Sequence, residues 1–217
     1  MKKINNKSLI LVITLILMVI IFTIYFFINK NNKMFNKNFN IGNNITSKSI
    51  QEIEQYILNI SSYEATVEIN VQSNKNENKY IMKQKYNSQG LEEQTIIEPS
   101  NLAGLTILYE NGKLTINNTK LKLKTVYENY EYIVDNNLWL NSFIKDYKES
   151  SEKSITEDST NIIMSVNISN KSNYGNIKTL YINRNTGNPE KMLIQDKNQK
   201  NIVYILYNEI RINNITK

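Results

Sequence analysis

The chain has no cysteine and no histidine, and only 2 prolines and 6 glycines among 217 residues. Without cysteine there is no disulfide framework, no thiolate nucleophile, no thiolate metal site and no lipidated thiol. Any membrane attachment must therefore come from the chain itself. Losing both residue types removes the Ser-His-Asp and Cys-His nucleophile systems. It also removes the commonest zinc sites. Gly104 and Gly112 stand alone and open no helix, so the phosphate-cradling loop pattern is missing. Carboxylates are what remains for chemistry. Glu92-Glu93 and Glu157-Asp158 are adjacent pairs. Strand neighbours point to opposite faces, so such pairs read as solvated charges and not as one acid-base site. The expectation is a protein that is not an enzyme, with no catalytic, cofactor-binding or metal-binding residues.

What is present in excess is positive charge, a net +6. Lys2, Lys3, Lys7, Lys30, Lys33 and Lys37 all precede the first acidic residue, Glu52. Apart from those lysines, 20 basic residues balance 20 acidic ones. The surplus belongs to an N-terminal arm, which argues against a phosphate-tracking surface and against nucleic acid as a partner.

Within the arm, "SLILVITLILMVIIFTIYFFI" runs from Ser8 to Ile28 without a charge. About 20 apolar residues cross a hydrocarbon core of about 30 Å. The run exceeds a secretory-signal core, and no small-x-small cleavage site follows it. It reads as an uncleaved transmembrane signal-anchor, with Leu9, Leu15, Ile21 and Phe27 in lipid; a cleaved signal is the alternative. Lysines flank both ends, so the positive-inside rule is nearly tied. The expected orientation puts residues 1–7 in the cytoplasm and the large domain outside, as a single-pass cell membrane protein. Residues 29–47 are polar and low in complexity, and read as a spacer. Residues 48–217 form the extracytoplasmic domain.

That domain opens with "SIQEIEQYILNISS". Ser49 and Glu52 make a capping-box pattern, and Ile50, Ile53, Ile57 and Ile60 share one helical face. "YEATVEINVQ" alternates as a half-buried strand, and "KYIMKQKY" and "LEEQTIIE" continue likewise. Asn111-Gly112 predicts a hairpin joining Leu105–Tyr109 to Lys113–Asn117. "KLKLKTV" alternates again. Leu140, Phe143, Ile144 and Tyr147 then change the period to that of a second amphipathic helix. Trp139 and Phe143 are candidate partner or cavity contacts; a ring packed on the sheet is the plainer reading of Trp139, and Phe143 reads equally as core. "NIIMSVNIS", "IKTLYIN", "EKMLIQD" and "NIVYILYNEIRIN" return to strands, with turns at "NRNTGNP" and "DKNQKN". The expected fold class is α+β, a curved antiparallel sheet wrapped on two helices, following an N-terminal transmembrane helix.

This order resembles the LolA/LolB-like lipoprotein-carrier superfamily, whose sheet is a half-barrel. Three stretches, "SSYEATVEINVQSN", "IIEPSNLAGLTILYENGKLTINNTKL" and "LYINRNTGNPEKMLIQDKNQKNIVYILYNEIRIN", resemble its clostridial branch, the germination lipoproteins of the GerS type. The resemblance implies a non-enzymatic accessory role in spore cortex modification and germination. The partner it implies is a cell-wall N-acetylmuramoyl-L-alanine amidase at the forespore membrane. The wider superfamily implies a lipid or lipoprotein carrier or sensor instead. The two differ in what they need: a filled interior with an exposed apolar patch or free edge, or an open apolar cavity. The family's lipidated cysteine is missing here, so the Ser8–Ile28 helix would replace the lipid anchor.

Overall fold

The computed structural model describes residues 49–73, 75–130, 137–168 and 175–213. The expected anchor, Ser8–Ile28, and its spacer lie outside the described residues. Among those described, no helix is long and apolar enough to cross a membrane.

Helix α1 spans Ile50–Leu58. Its start is held as the sequence predicts: the Ser49 hydroxyl accepts from the Glu52 amide at 3.3 Å, and the Glu52 carboxylate accepts from the Ser49 amide at 3.0 Å. Six strands follow: β1 (Ser62–Gln72), β2 (Glu77–Asn87), β3 (Leu91–Glu98), β4 (Leu105–Glu110), β5 (Lys113–Asn118) and β6 (Leu123–Tyr127). Helix α2 (Leu140–Glu149) comes next. The chain then forms β7 (Lys153–Glu157), β8 (Asn161–Asn167), β9 (Ile177–Asn183), β10 (Pro189–Gln195) and β11 (Asn201–Ile212). At the β4–β5 turn, Asn111 and Gly112 both take positive φ, 51° and 78°. That is the geometry the Asn-Gly pair favours in a two-residue hairpin.

All strands join one antiparallel sheet in the order β6-β5-β4-β3-β2-β1-β11-β10-β9-β8-β7. Every neighbour is a sequential hairpin partner except β1 and β11, which close the two meanders against each other. Among the described residues β6 and β7 each pair on one side only, so the sheet is open. Register shifts at Thr66/Val67, Ile81/Met82, Pro189/Lys191 and Ile194/Gln195 bend it, because an extra residue on one strand increases local twist. The turns divide between two rims. The first carries the β2–β3, β4–β5, β7–β8 and β9–β10 turns. The second carries the β1–β2, β3–β4, β5–β6 and β10–β11 turns.

Both helices occupy the concave face. Ile53 and Ile57 of α1, and Leu140, Phe143, Ile144 and Tyr147 of α2, are buried against Tyr63, Val67, Ile69, Met164, Leu180 and Ile205 of the sheet. The alternation in β1, β8, β9 and β11 supplies this apolar layer. Strand β7, "KSITE", was not anticipated from the sequence. It is short, mostly exposed and an edge, so it lacks the half-buried alternation that marks its neighbours.

Candidate docking surface

The two aromatic candidates lie inside the core. Phe143 is 0% and Trp139 2% exposed. Trp139 occupies the N-cap position of α2 but offers no capping side chain. The missing cap is replaced from across the core: the Leu140 amide donates to the Tyr63 hydroxyl at 3.2 Å, and the Trp139 ring meets the Tyr63 ring edge-on, 6.3 Å between centroids. Burial pushes the Tyr63 phenol well above its ordinary value, so it stays neutral.

The buried polar groups serve to fix α2. Lys178 of β9 is 0% exposed, and its Nζ lies 2.7 Å from Ser142 Oγ and 2.5 Å from Asp146 Oδ2. A serine beside a lysine suggests a nucleophile with its base. The lysine nitrogen is engaged by the Asp146 carboxylate as well as by the serine, however, so it is not placed as a free base for that hydroxyl. The trio is a staple between helix and sheet. At the other side of the helix, Asn141 donates to the Glu92 carboxylate at 3.1 Å, and Gln84 Nε2 to the Leu138 carbonyl at 3.1 Å. Burial raises the Glu92 carboxyl above its ordinary range, and the Asn141 bond offsets part of that. Tyr147 donates to Glu54 at 3.0 Å and so ties α2 to α1.

The carboxylate pairs separate as strand geometry requires. Glu92 shares the concave face with Gln94, whereas Glu93 points outward. Glu157 pairs with Arg184 at 2.7 Å, while Asp158 accepts from the Thr160 and Asn161 amides in the β7–β8 turn. Among the described residues no three His, Cys, Asp or Glu side chains gather to hold a metal. Two surface clefts are present. One of about 290 Å³ lies along α2 beside Tyr86 and Ser88, and one of about 170 Å³ lies at Gln72, Asn201 and Tyr204.

The concave face extends further than its helices. The core cluster contains no residue of β3 to β6. Following the register outward, Gln94 stands opposite Ile107, which stands opposite Ile116; Glu92 stands opposite Tyr109, then Leu114, then Tyr127. These apolar side chains face the same way as the core layer. Leu114 is buried among its neighbours, Ile107, Tyr109 and Ile116 are half-buried, and Tyr127 is 46% exposed. Tyr127 also lies against Tyr130, the ring centroids 5.9 Å apart and the planes tilted by 50°. The β3–β6 wing thus presents an apolar concave row ending at an unpaired strand. Sequence reasoning recognised the hairpin but not this surface. A half-exposed apolar row has the same alternation as a core strand, and only the strand order shows which rows the helices cover.

No family model matches the chain, and no curated protein matches it. Solved structures do. An uncharacterized conserved protein from Thermus thermophilus is 12% identical, with 78% of this chain and 90% of that one covered and a TM-score of 0.50. A structure of the CwlD amidase from Clostridioides difficile in complex with the GerS lipoprotein matches at 22% identity, covering 81% of this chain and 99% of that one, with a TM-score of 0.43. A LolA superfamily protein from Nitrosomonas europaea matches at 11% identity, 78% and 96% coverage and a TM-score of 0.39. At these identities the likeness is one of fold.

Proposed function

We propose that this protein is a non-enzymatic, membrane-anchored accessory protein that docks on a cell-wall N-acetylmuramoyl-L-alanine amidase and activates it during spore cortex modification. The observation that carries the reading is the contrast between the two parts of the concave face. Its centre is filled by α1 and α2, whereas its β4–β6 wing leaves Ile107, Tyr109, Ile116 and Tyr127 partly open beside a free edge. Apolar and aromatic side chains on a rigid sheet are what a protein partner's hot spot needs. A filled centre favours this over an acyl-chain carrier. The choice of an amidase rests on the three sequence stretches that resemble the GerS type. The placement outside the cell membrane rests on the charge-free run Ser8–Ile28.

The test is a titration of the full chain in detergent with the cortex amidase of the same organism, read by size-exclusion and calorimetry. A stoichiometric complex is expected, weakened at least about tenfold by Tyr127→Asp, as for loss of an aromatic hot spot. Recovery of lipid or lipoprotein with no amidase bound would overturn the reading in favour of a carrier or sensor.

A further inference from the structure

The second rim carries a different kind of surface. Its β5–β6 turn and the start of β6 read Lys120, Leu121, Lys122, Leu123, Lys124, all exposed. Leu121 is 65% and Leu123 61% exposed, the two highest values among the large hydrophobic residues described. Ile97, at the adjoining end of β3, is exposed as well. The two turns are tied together: Lys120 Nζ donates to the Ser100 carbonyl at 2.7 Å, and the Thr119 amide to the Gly104 carbonyl at 3.4 Å. A Cβ on Gly104 would come within 2.6 Å of Thr119 Oγ1, so the approach depends on that glycine. The tip is a built structure and not a loose loop.

Charge is distributed unequally between the rims. Lys75, Lys197 and Lys200 are exposed in the other turns of the second rim, where the acids are Glu77, Glu98 and Asp196; Glu149 and Glu152, at the α2–β7 connection, lie on this side too, at the opposite end of the strand order from the β6 tip. Asp196 is engaged by the Asn198 and Lys200 amides. On the first rim the basic groups are matched, Lys113 to Glu128 at 2.8 Å and Arg184 to Glu157 at 2.7 Å. Lysines on an edge strand also guard it against pairing with another chain. That accounts for Lys124 on β6, but not for two leucines left open beside it.

We infer that the Ile97–Leu121–Leu123 tip with its lysines rests on an anionic lipid surface, the leucines at headgroup depth and the lysines on phosphates. This surface meets the concave row proposed for the amidase at Leu123, which shares a face of β6 with Tyr127.

The absence of cysteine makes the test clean. Leu121→Cys, Leu123→Cys and, on the first rim, Asn185→Cys are each labelled with an environment-sensitive fluorophore in the full chain. The chain is incorporated into vesicles of phosphatidylcholine with or without phosphatidylglycerol. Expected is a severalfold rise in emission, with quenching by spin-labelled lipid, at 121 and 123 in the anionic vesicles only, and none at 185. Each lysine contributes roughly fivefold to the local partition, so Lys122→Glu with Lys124→Glu should abolish the signal while circular dichroism stays unchanged. Equal signals at 121 and 185, no signal at 121, or a signal indifferent to lipid charge and to the lysines would overturn the inference. Retention of the chain in neutral vesicles after alkaline washing reports separately on the Ser8–Ile28 anchor.

Discussion

Lys178 is fully buried, and Ser142 and Asp146 are hydrogen-bonded to its amine. Removing one partner of such a pair leaves an uncompensated charge in the core, whereas removing both restores an apolar contact. Asp146→Ala should therefore cost about 3–5 kcal/mol. The double variant Lys178→Met with Asp146→Leu should recover most of that loss, both read by urea denaturation. Glu92 acts in the opposite sense. Its folded-state carboxyl is raised, chiefly by burial, so the folded state binds the proton more tightly than the unfolded one. Below about pH 4.3, the unfolded value, the proton is on in both states and nothing is lost. As pH rises past it, the folded state is penalised until the folded value is passed. Glu92→Gln should leave stability unchanged at low pH and raise it near neutrality, with the difference levelling off above the raised value. A melting series across pH checks this. Glu68, lowered by its Lys79 partner at 2.9 Å, contributes stability that is lost as pH falls, so only the difference between the two proteins isolates Glu92.

At the scale of elements, local signals account for most of what the sequence made legible. Ser49 and Glu52 mark a helix start because a hydroxyl and a carboxylate three residues apart satisfy each other's amides. Asn111-Gly112 marks a hairpin because both positions need positive φ. What failed to show was anything set by the identity of the neighbour. Trp139 and Phe143 stand out in sequence as aromatic candidates, yet a large ring suits a core layer as well as a contact surface, and here both are core. "KLKLKTV" alternates as a strand should, but β6 is last in the order, so neither of its faces is well covered. The same fact sets the dynamics. β1, β2 and β11 share the core cluster with both helices, whereas β4 to β6 contribute nothing to it. Amide exchange should accordingly be slowest in β1 and β11 and faster, by local opening, in β4 to β6. Binding of the proposed amidase partner should slow exchange in the wing and leave β1 unaltered. Uniform protection across the sheet would mean that the wing unfolds only with the whole.

At the scale of the molecule, the long-range step is the pairing of β1 with β11, which joins two meanders separated by most of the domain. Nothing local in "YEATVEINVQ" or "NIVYILYNEIRIN" specifies that partner; both were legible as strands, and the order of the sheet was not. Yet that one junction decides which apolar rows meet the helices and which stay open. It also sends the wing outward and gathers the basic turns on one rim. Two surfaces result, an apolar row on the concave side and a basic, leucine-tipped rim at the strand ends, and they share little beyond Leu123. The proposed amidase and lipid interactions should then be separable. Lys122→Glu with Lys124→Glu should leave amidase affinity in detergent within about twofold, since a charge outside the contact contributes little through screened solvent. Tyr127→Asp should weaken the complex at least about tenfold while the label at Leu121 still responds to anionic vesicles. Loss of both activities from either variant would show that the wing and the rim form a single surface, and would place the lipid and the protein in competition for it.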